Sequence, residues 1–332
     1  MPVLPVKVLV TGAGALLGQG VIKSLRQSSL EVSIAAADPM PLSAGLFWAE
    51  EAYVIRMATD PAYLDRLGEV LRQAKPDIVI PGTDVELPIL AANREKLEAE
   101  FGTRVLVSDP RVIAIADDKF LTFQFLSEAG LAPPASAVPE DAEGLGQLID
   151  AVGFPLIVKP RIGARSVGVS RVTTRDELNE AVSGREGLVV QECVAGEGDE
   201  YTASVLVFDG DPKASIVMRR DLRDGNTYRA FCGAYPELNR QVRAFGAALR
   251  PFGPANFQFR LDEGGRARVF EINGRFSGTT PLRALVGFNE VEMCIRHILF
   301  GEPIAQPEAR ETTVLRYWGE MLVENSQLES LR

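Results

Sequence analysis

Residues 255–278 read ANFQFRLDEGGRARVFEINGRFSG. Gly264 and Gly265 mark a tight turn between two runs that alternate apolar and polar residues, which is the pattern of an antiparallel hairpin. With both glycines at the tip of an even-numbered loop, Gln258 faces Glu271 and Asn256 faces Asn273. Period-two alternation then sets Phe257, Phe259, Phe270 and Ile272 on one face, and Asn256, Gln258, Arg260, Glu271 and Asn273 on the other. A carboxylate and two carboxamides on one strip are hard oxygen donors of the kind Mg²⁺ takes together with nucleotide phosphates. The same pattern also fits an amphipathic hairpin with a solvated face. Arg275, two residues past Asn273, shares that side if the strand continues, where it could stabilise a transferring phosphoryl group.

Upstream, PLIVKPRIGARSVGVSRV (155–172) predicts a strand that ends on Lys159 and a loop with Gly163, Ser166 and Gly168 that turns back into a strand. Such a loop, with Arg161 and Arg165, can close over a polyphosphate while Lys159 offsets its charge. It is not a Walker loop, which ends in Gly-Lys-Ser/Thr and opens a helix. A glycine-containing hairpin with solvated arginines is the alternative. VMRRDLRDGNTYRAF (217–231) adds Arg219, Arg220, Arg223 and Arg229 around Gly225, either as ligands for a substrate carboxylate or phosphate or as ordinary surface, with Arg223 read as solvated.

At the front, VLVTGAGALLGQG (8–20) places Gly12, Gly14 and Gly18 between a strand and a helix, and Asp38 ends the next strand. This turn either presents backbone N–H groups and a ribose-binding acid to a dinucleotide, or packs the first helix closely on the sheet. Strand and helix alternate to about residue 109, which implies a parallel, doubly wound sheet. Beyond it, short strands and turn signals give α+β grammar, with a last strand-like run at 312–318.

The 332 residues have room for two or three domains. A net charge of −10 disfavours nucleic acid and anionic membrane as partners. No stretch is apolar enough to span a membrane or to act as a leader. Cys193, Cys232 and Cys294 lack metal or disulfide spacing, which points to a reducing cytoplasm. His297, the single histidine, sits in an apolar helical pattern, so chemistry built on histidine is disfavoured.

Five segments in order resemble the ATP-grasp superfamily, and within it the large chain of carbamoyl phosphate synthetase. They are ADDKFLTFQFLSEAGLAPP, PLIVKPRIGARSVGVS, VVQECVAGEGDEYTASV, NFQF and FEINGRFSG, across residues 115–280. The resemblance implies a Rossmann-like parallel-sheet domain over 1–109, then an ATP-grasp module of two α+β subdomains clasping ATP, over 110–185 and 186–332. By the same resemblance Lys119 and Lys159 reach the phosphates, and Gly163, Ser166 and Gly168 belong to the mobile phosphate loop. Glu192 and Val194 lie at the hinge that reads the adenine edge, and Glu200 matches the ribose-binding acid. Gln258, Glu271 and Asn273 match the Mg²⁺ ligands, with Mn²⁺ as a substitute, and Arg275 matches the catalytic arginine. Two departures stand out: the loop reads GARSVG instead of a double-glycine form, and one module is present where the synthetase has two. The implied activity is that of a stand-alone ligase that uses ATP to activate a small carboxylate for attack by an amine. Homodimers are common among such enzymes. The competing readings are an NAD(P)-dependent oxidoreductase built on the glycine turn and Asp38, and a module that holds ATP without turnover.

Overall fold

The structure is a computed structural model and describes residues 5–163, 166–194 and 200–329. Its first sheet consists of β1 (Val6–Val10), β2 (Val32–Asp38), β3 (Glu51–Val54), β4 (Ile78–Ile80) and β5 (Arg104–Val105), all parallel, in the order β3-β2-β1-β4-β5. Helices α1 (Leu16–Arg26), α2 (Tyr63–Ala74) and α3 (Leu87–Phe101) form the crossovers. Strand β1 is apolar on both faces because helices cover both. The order reverses at β1 and β4, so the carboxyl ends of these strands face the rest of the chain at a topological switch point.

Two helices connect this sheet to the remainder. Asp109 caps α4 (Pro110–Asp117) through the Val112 amide, and Asp118 caps α5 (Lys119–Glu128) through the amides of Phe120 and Leu121. A small sheet follows, with β6 (Ser136–Ala137), β7 (Leu156–Pro160), β8 (Ser170–Val172) and β9 (Leu188–Glu192) in the order β6-β9-β7-β8. It is covered by α6 (Ala142–Val152) and α7 (Arg175–Val182). Strand β9 thus joins the small sheet although it lies past residue 185, where the sequence placed the division.

The third sheet is antiparallel and six-stranded. It holds β10 (Glu200–Phe208), β11 (Asp211–Arg223), β12 (Asn226–Cys232), β13 (Gly253–Leu261), β14 (Ala267–Asn273) and β15 (Thr312–Leu315), in the order β14-β13-β10-β11-β12-β15. One face packs on α8 (Pro236–Leu249), α4 and α5 through Val205, Phe245, Phe257 and Phe259. The other face is apolar at Met218, Ala230 and Val314, which pack on Leu282 of α9 (Thr280–Leu285). Helices α10 (Glu290–Phe300) and α11 (Asn325–Glu329) complete the chain.

Under α9, Arg283 and Glu290 are both fully buried and paired at 3.1 Å. Arg283 also donates to the Asn256 carboxamide oxygen at 2.6 Å and to the Thr202 hydroxyl at 3.2 Å, so the pair ties α9 and α10 to the strands beneath the polar face. Removing one member of such a pair leaves an uncompensated charge. Glu290→Ala is therefore expected to cost about 3–5 kcal/mol of stability, and Arg283→Met combined with Glu290→Leu should recover most of it. Urea unfolding of both variants checks this.

Candidate active site

Strands β13 and β14 pair with Gln258 opposite Glu271 and Asn256 opposite Asn273, as the alternation predicts. The Gln258 amide donates to Glu271 Oε1 at 2.9 Å, and the Asn273 amide donates to the same oxygen at 3.2 Å. Arg220 donates to Gln258 Oε1 at 2.6 Å and to Glu200 Oε1 at 2.6 Å. Arg260 lies 3.4 Å from the other Glu200 oxygen. At the opposite end Arg275 donates to Asn273 Oδ1 at 2.8 Å and grips Asp84 with two hydrogen bonds of 2.6 and 2.8 Å. Asp84 follows β4 in the first sheet, so one row of polar side chains runs from Glu200 to the N-terminal domain. As a metal site this set supplies one carboxylate and two carboxamides, all hard oxygen donors. Its single negative charge suits Mg²⁺ shared with phosphates and not an all-protein cage. Among the described residues no three His, Cys, Asp or Glu side chains form a metal-binding group.

The two lysines face this row from the small sheet and α5. Lys159 is buried, and its ammonium donates to Gln191 Oε1 at 2.8 Å and to the Phe270 carbonyl at 3.4 Å. Burial lowers its pKa to about 8, opposed by Glu271, whose charge raises it. Lys119 is also buried and donates to the carbonyls of Gly163 at 2.7 Å and Arg161 at 3.4 Å. Arg161 makes a forked ion pair with Asp118 (2.6 Å), so the start of the loop is fixed to the first turn of α5. Burial raises the Asp118 pKa, but the Arg161 fork and two capping amides outweigh it and hold the group below its ordinary value. The expected loop residues Gly163, Ser166 and Gly168 all take positive φ, at 144°, 56° and 74°. Arg165 lies outside the described residues.

At the expected hinge, the Glu192 amide donates to the Ala135 carbonyl at 2.8 Å, and its carboxylate holds Arg268 at 2.7 Å. Val194 is buried beside it, and the segment between it and Glu200 falls outside the described residues. Of the other arginines, Arg219 lies 3.8 Å over the Phe231 ring, Arg229 pairs loosely with Asp221 (3.5 Å), and Arg223 lies 5.4 Å over Tyr228.

One expectation on the hairpin fails. Phe270 is not in the core, because a bulge after Gln258 shifts the pairing so that Phe259 meets Val269. Val269 takes the buried place, and the Phe270 ring turns to Lys159, whose ammonium lies 5.4 Å from its centroid. The adjacent apolar pair Val269-Phe270 was the available signal, since two neighbours cannot face the core of an unbulged strand. Asp84 and Gln191 carried no sequence signal of their partners.

The glycine turn is occupied by the chain itself. Asp38 accepts from the Gly14 amide (2.7 Å), the Met40 amide (2.9 Å) and the Ser43 hydroxyl (2.6 Å). A Cβ on Gly14 would lie 2.2 Å from Ser43 Oγ, and one on Gly18 would lie 2.3 Å from the Gly12 carbonyl. These glycines serve close packing, and the acid that would hold a ribose instead holds its own loop.

The fold is that of the ATP-grasp proteins preceded by a parallel-sheet domain. Residues 8–106 match the PylC-like N-terminal domain, residues 116–235 the RimK-like ATP-grasp domain, and residues 185–320 the ATP-grasp of the biosynthetic pathway with Ter operon. The chain is similar to the carbamoyl phosphate synthase large chain of Methanothermobacter thermautotrophicus, with 25% identity over 83% of this chain and 28% of that one. It therefore spans under a third of that relative's length. Among solved structures, an N5-carboxyaminoimidazole ribonucleotide synthetase in complex with ADP superposes with a TM-score of 0.72 at 16% identity, over 92% of this chain and 80% of that one. The biotin carboxylase domain of Hydrogenobacter thermophilus 2-oxoglutarate carboxylase, solved with MgADP and bicarbonate, gives 0.69 at 21% identity, over 92% and 72%. Between them the two ATP-grasp models match residues 116–320, and the chain resembles the carbamoyl phosphate synthase large chain.

Because the glycine turn is filled, NAD⁺ and NADPH are expected to leave the melting temperature unchanged. Gly14→Ala should cost about 1–3 kcal/mol through overpacking. Differential scanning fluorimetry and urea unfolding test the two statements.

Proposed function

We propose that this chain is an ATP- and Mg²⁺-dependent carboxylate–amine ligase. The observation that carries the reading is the distribution of partners around the two lysines. Arg220 and Arg275 hold carboxylates, whereas Lys119 and Lys159 hydrogen-bond only neutral carbonyl oxygens in the contacts given above. Two buried ammonium groups beside a strip of oxygen donors suit a polyphosphate and its cation.

In this reading the substrate carboxylate attacks the γ-phosphorus of ATP. An O–P bond forms, the bond to the β-phosphate oxygen breaks, and ADP leaves. An amine then attacks the acyl carbon of the acyl phosphate, a C–N bond forms, and inorganic phosphate leaves as the amine gives its proton to solvent. Lys119 and Lys159 hold the phosphates, and Gly163, Ser166 and Gly168 cover them with backbone N–H groups. Phe270 lies against the base, the backbone at Glu192 and Val194 meets its edge, and Glu200, held by Arg220 and Arg260, takes the ribose. Gln258, Glu271 and Asn273 would hold Mg²⁺, or Mn²⁺ in its place, which would supply charge neutralisation for the phosphates. Arg275, fixed by Asp84, faces the transferring phosphoryl group. The names of the relatives support this class, since carbamoyl phosphate synthases, a D-alanine–D-alanine ligase and carboxylases stand among them.

We place the enzyme in the cytoplasm, as its free cysteines suggest, and as a homodimer like the biotin carboxylase domain above. Its substrates are small molecules. No helix among the described residues is long and apolar enough to cross a membrane.

Wild-type protein is expected to be stabilised by ATP with Mg²⁺ and far less by either alone. Glu271→Gln should lower ADP release over a panel of carboxylates and amines by roughly a hundredfold or more; an unchanged rate would count against the reading. A second expectation concerns pH. Lys159 carries its proton below about 8 in the empty protein, and a bound anion favours the charged form. ADP affinity should therefore be level below pH 8 and weaken by up to about tenfold per unit above it. Titration calorimetry at several pH values checks this, and Lys159→Arg should flatten the slope.

A further inference from the structure

The carboxyl end of the parallel sheet presents apolar side chains to solvent. Leu16 past β1, Met40 and Leu42 past β2, and Val85 past β4 are 40%, 63%, 76% and 58% exposed. The segments that carry the first three, 11–16 and 39–43, read TGAGAL and PMPLS and hold no charged residue. Several large apolar groups exposed together at one end of a sheet mark a place where something binds.

The turn past β2 is fixed. Asp38, itself buried, accepts from the Met40 amide at 2.9 Å and from the Ser43 hydroxyl at 2.6 Å, and the Ser43 amide donates to the Met40 carbonyl at 3.1 Å. Pro41 sets φ between Met40 and Leu42. Exposed apolar groups on a turn held in this way take up an apolar ligand with little ordering cost.

Direct contacts connect this turn to the candidate active site. Ser43 Oγ lies 2.2 Å from where a Cβ on Gly14 would stand, Thr83 lies 2.4 Å from the same position on Gly12, and Leu16 lies 3.1 Å from that on Gly278. Gly278 is three residues past Arg275, a span of at most roughly 11 Å. Arg275 grips Asp84, the neighbour of Val85. The segments past β2, β1 and β4 thus adjoin one another and end at Arg275. These three strands are neighbours in the sheet, so at about 4.8 Å per strand the row is roughly 10 Å across. Ligands of parallel sheets lie at this end, where the strand order reverses.

We propose that Leu16, Met40, Leu42 and Val85 form the floor on which the acid substrate lies. The substrate is thus a hydrophobic carboxylic acid, with its carboxylate at the Arg275 end and an apolar body of roughly 10 Å across the strand ends. The assignment to a substrate rests on the ligase reading, whereas the apolar binding floor itself does not.

The test is titration calorimetry of the MgADP-loaded protein with acetate, hexanoate and octanoate, for wild type, Val85→Thr and the double variant Met40→Gln with Leu42→Ser. Wild-type affinity should rise about threefold for each added methylene that the floor covers. The double variant should lose at least about tenfold in octanoate affinity, with acetate and MgADP affinities unchanged, and Val85→Thr should act in the same direction. The replaced side chains are exposed, so the variants keep the packing of the fold. Equal binding of the three acids by wild type, or a dependence on chain length that survives the double variant, overturns the proposal. A dimer in sedimentation that the double variant dissociates overturns it as well, because a second copy then covers the floor. Octanoate titrated without nucleotide separates the two readings. Leu42-dependent octanoate binding by a protein that does not bind MgADP would refute the ligase and leave the apolar floor standing, whereas MgADP binding with no gain from chain length would refute the floor alone.

Discussion

Two carboxamides donating to one carboxylate oxygen, Gln258 and Asn273 to Glu271, form the link on which the rest of the site depends. The link exists only in one register of β13 against β14, because a slip of β14 by one residue would send Glu271 and Asn273 to the core face. From it the row continues outward, through Arg220 to Glu200 on one side and through Arg275 to Asp84 on the other. Its length connects β10, the oxygen strip and the parallel-sheet domain. A displacement at any member therefore changes the hydrogen bonding of the next, and the buried Arg283–Glu290 pair fixes Asn256 in the strand that carries Gln258.

The strands that carry this row were legible because their polar and apolar residues alternate and their turn is marked by two glycines. The position of Phe270 was not, since a bulge depends on how two strands twist together and leaves only an extra apolar residue as its trace. The β11–β12 hairpin shows a similar limit. Asp224-Gly225, both at positive φ, is the signature of a mirror-image turn, but the four arginines around it also fit a ligand site. Four residues of that segment consequently find mostly local partners, Asp221 and aromatic rings, and only Arg220 reaches the row.

The glycine turn illustrates why a motif is settled by its neighbours. Gly12, Gly14, Gly18 and Asp38 have the spacing of a dinucleotide site, yet Ser43, five residues past Asp38, supplies a hydroxyl that fills the turn and occupies the acid. No local rule connects that serine to the glycines. The same packing serves the site in another way, because it presses α1 onto the loop around Gly278, where the first domain and the large sheet meet.

Charge is distributed in a way that composition hides. The chain is acidic overall, yet the cations of the site divide by chemistry: planar guanidinium groups take carboxylates in forked geometry, while the lysines take single carbonyl oxygens. A guanidinium is never neutralised, so burying it calls for a fixed counter-charge. A lysine tolerates burial more easily because it can give up its proton: burial lowers the Lys159 pKa to about 8 even with the charge of Glu271 opposing it.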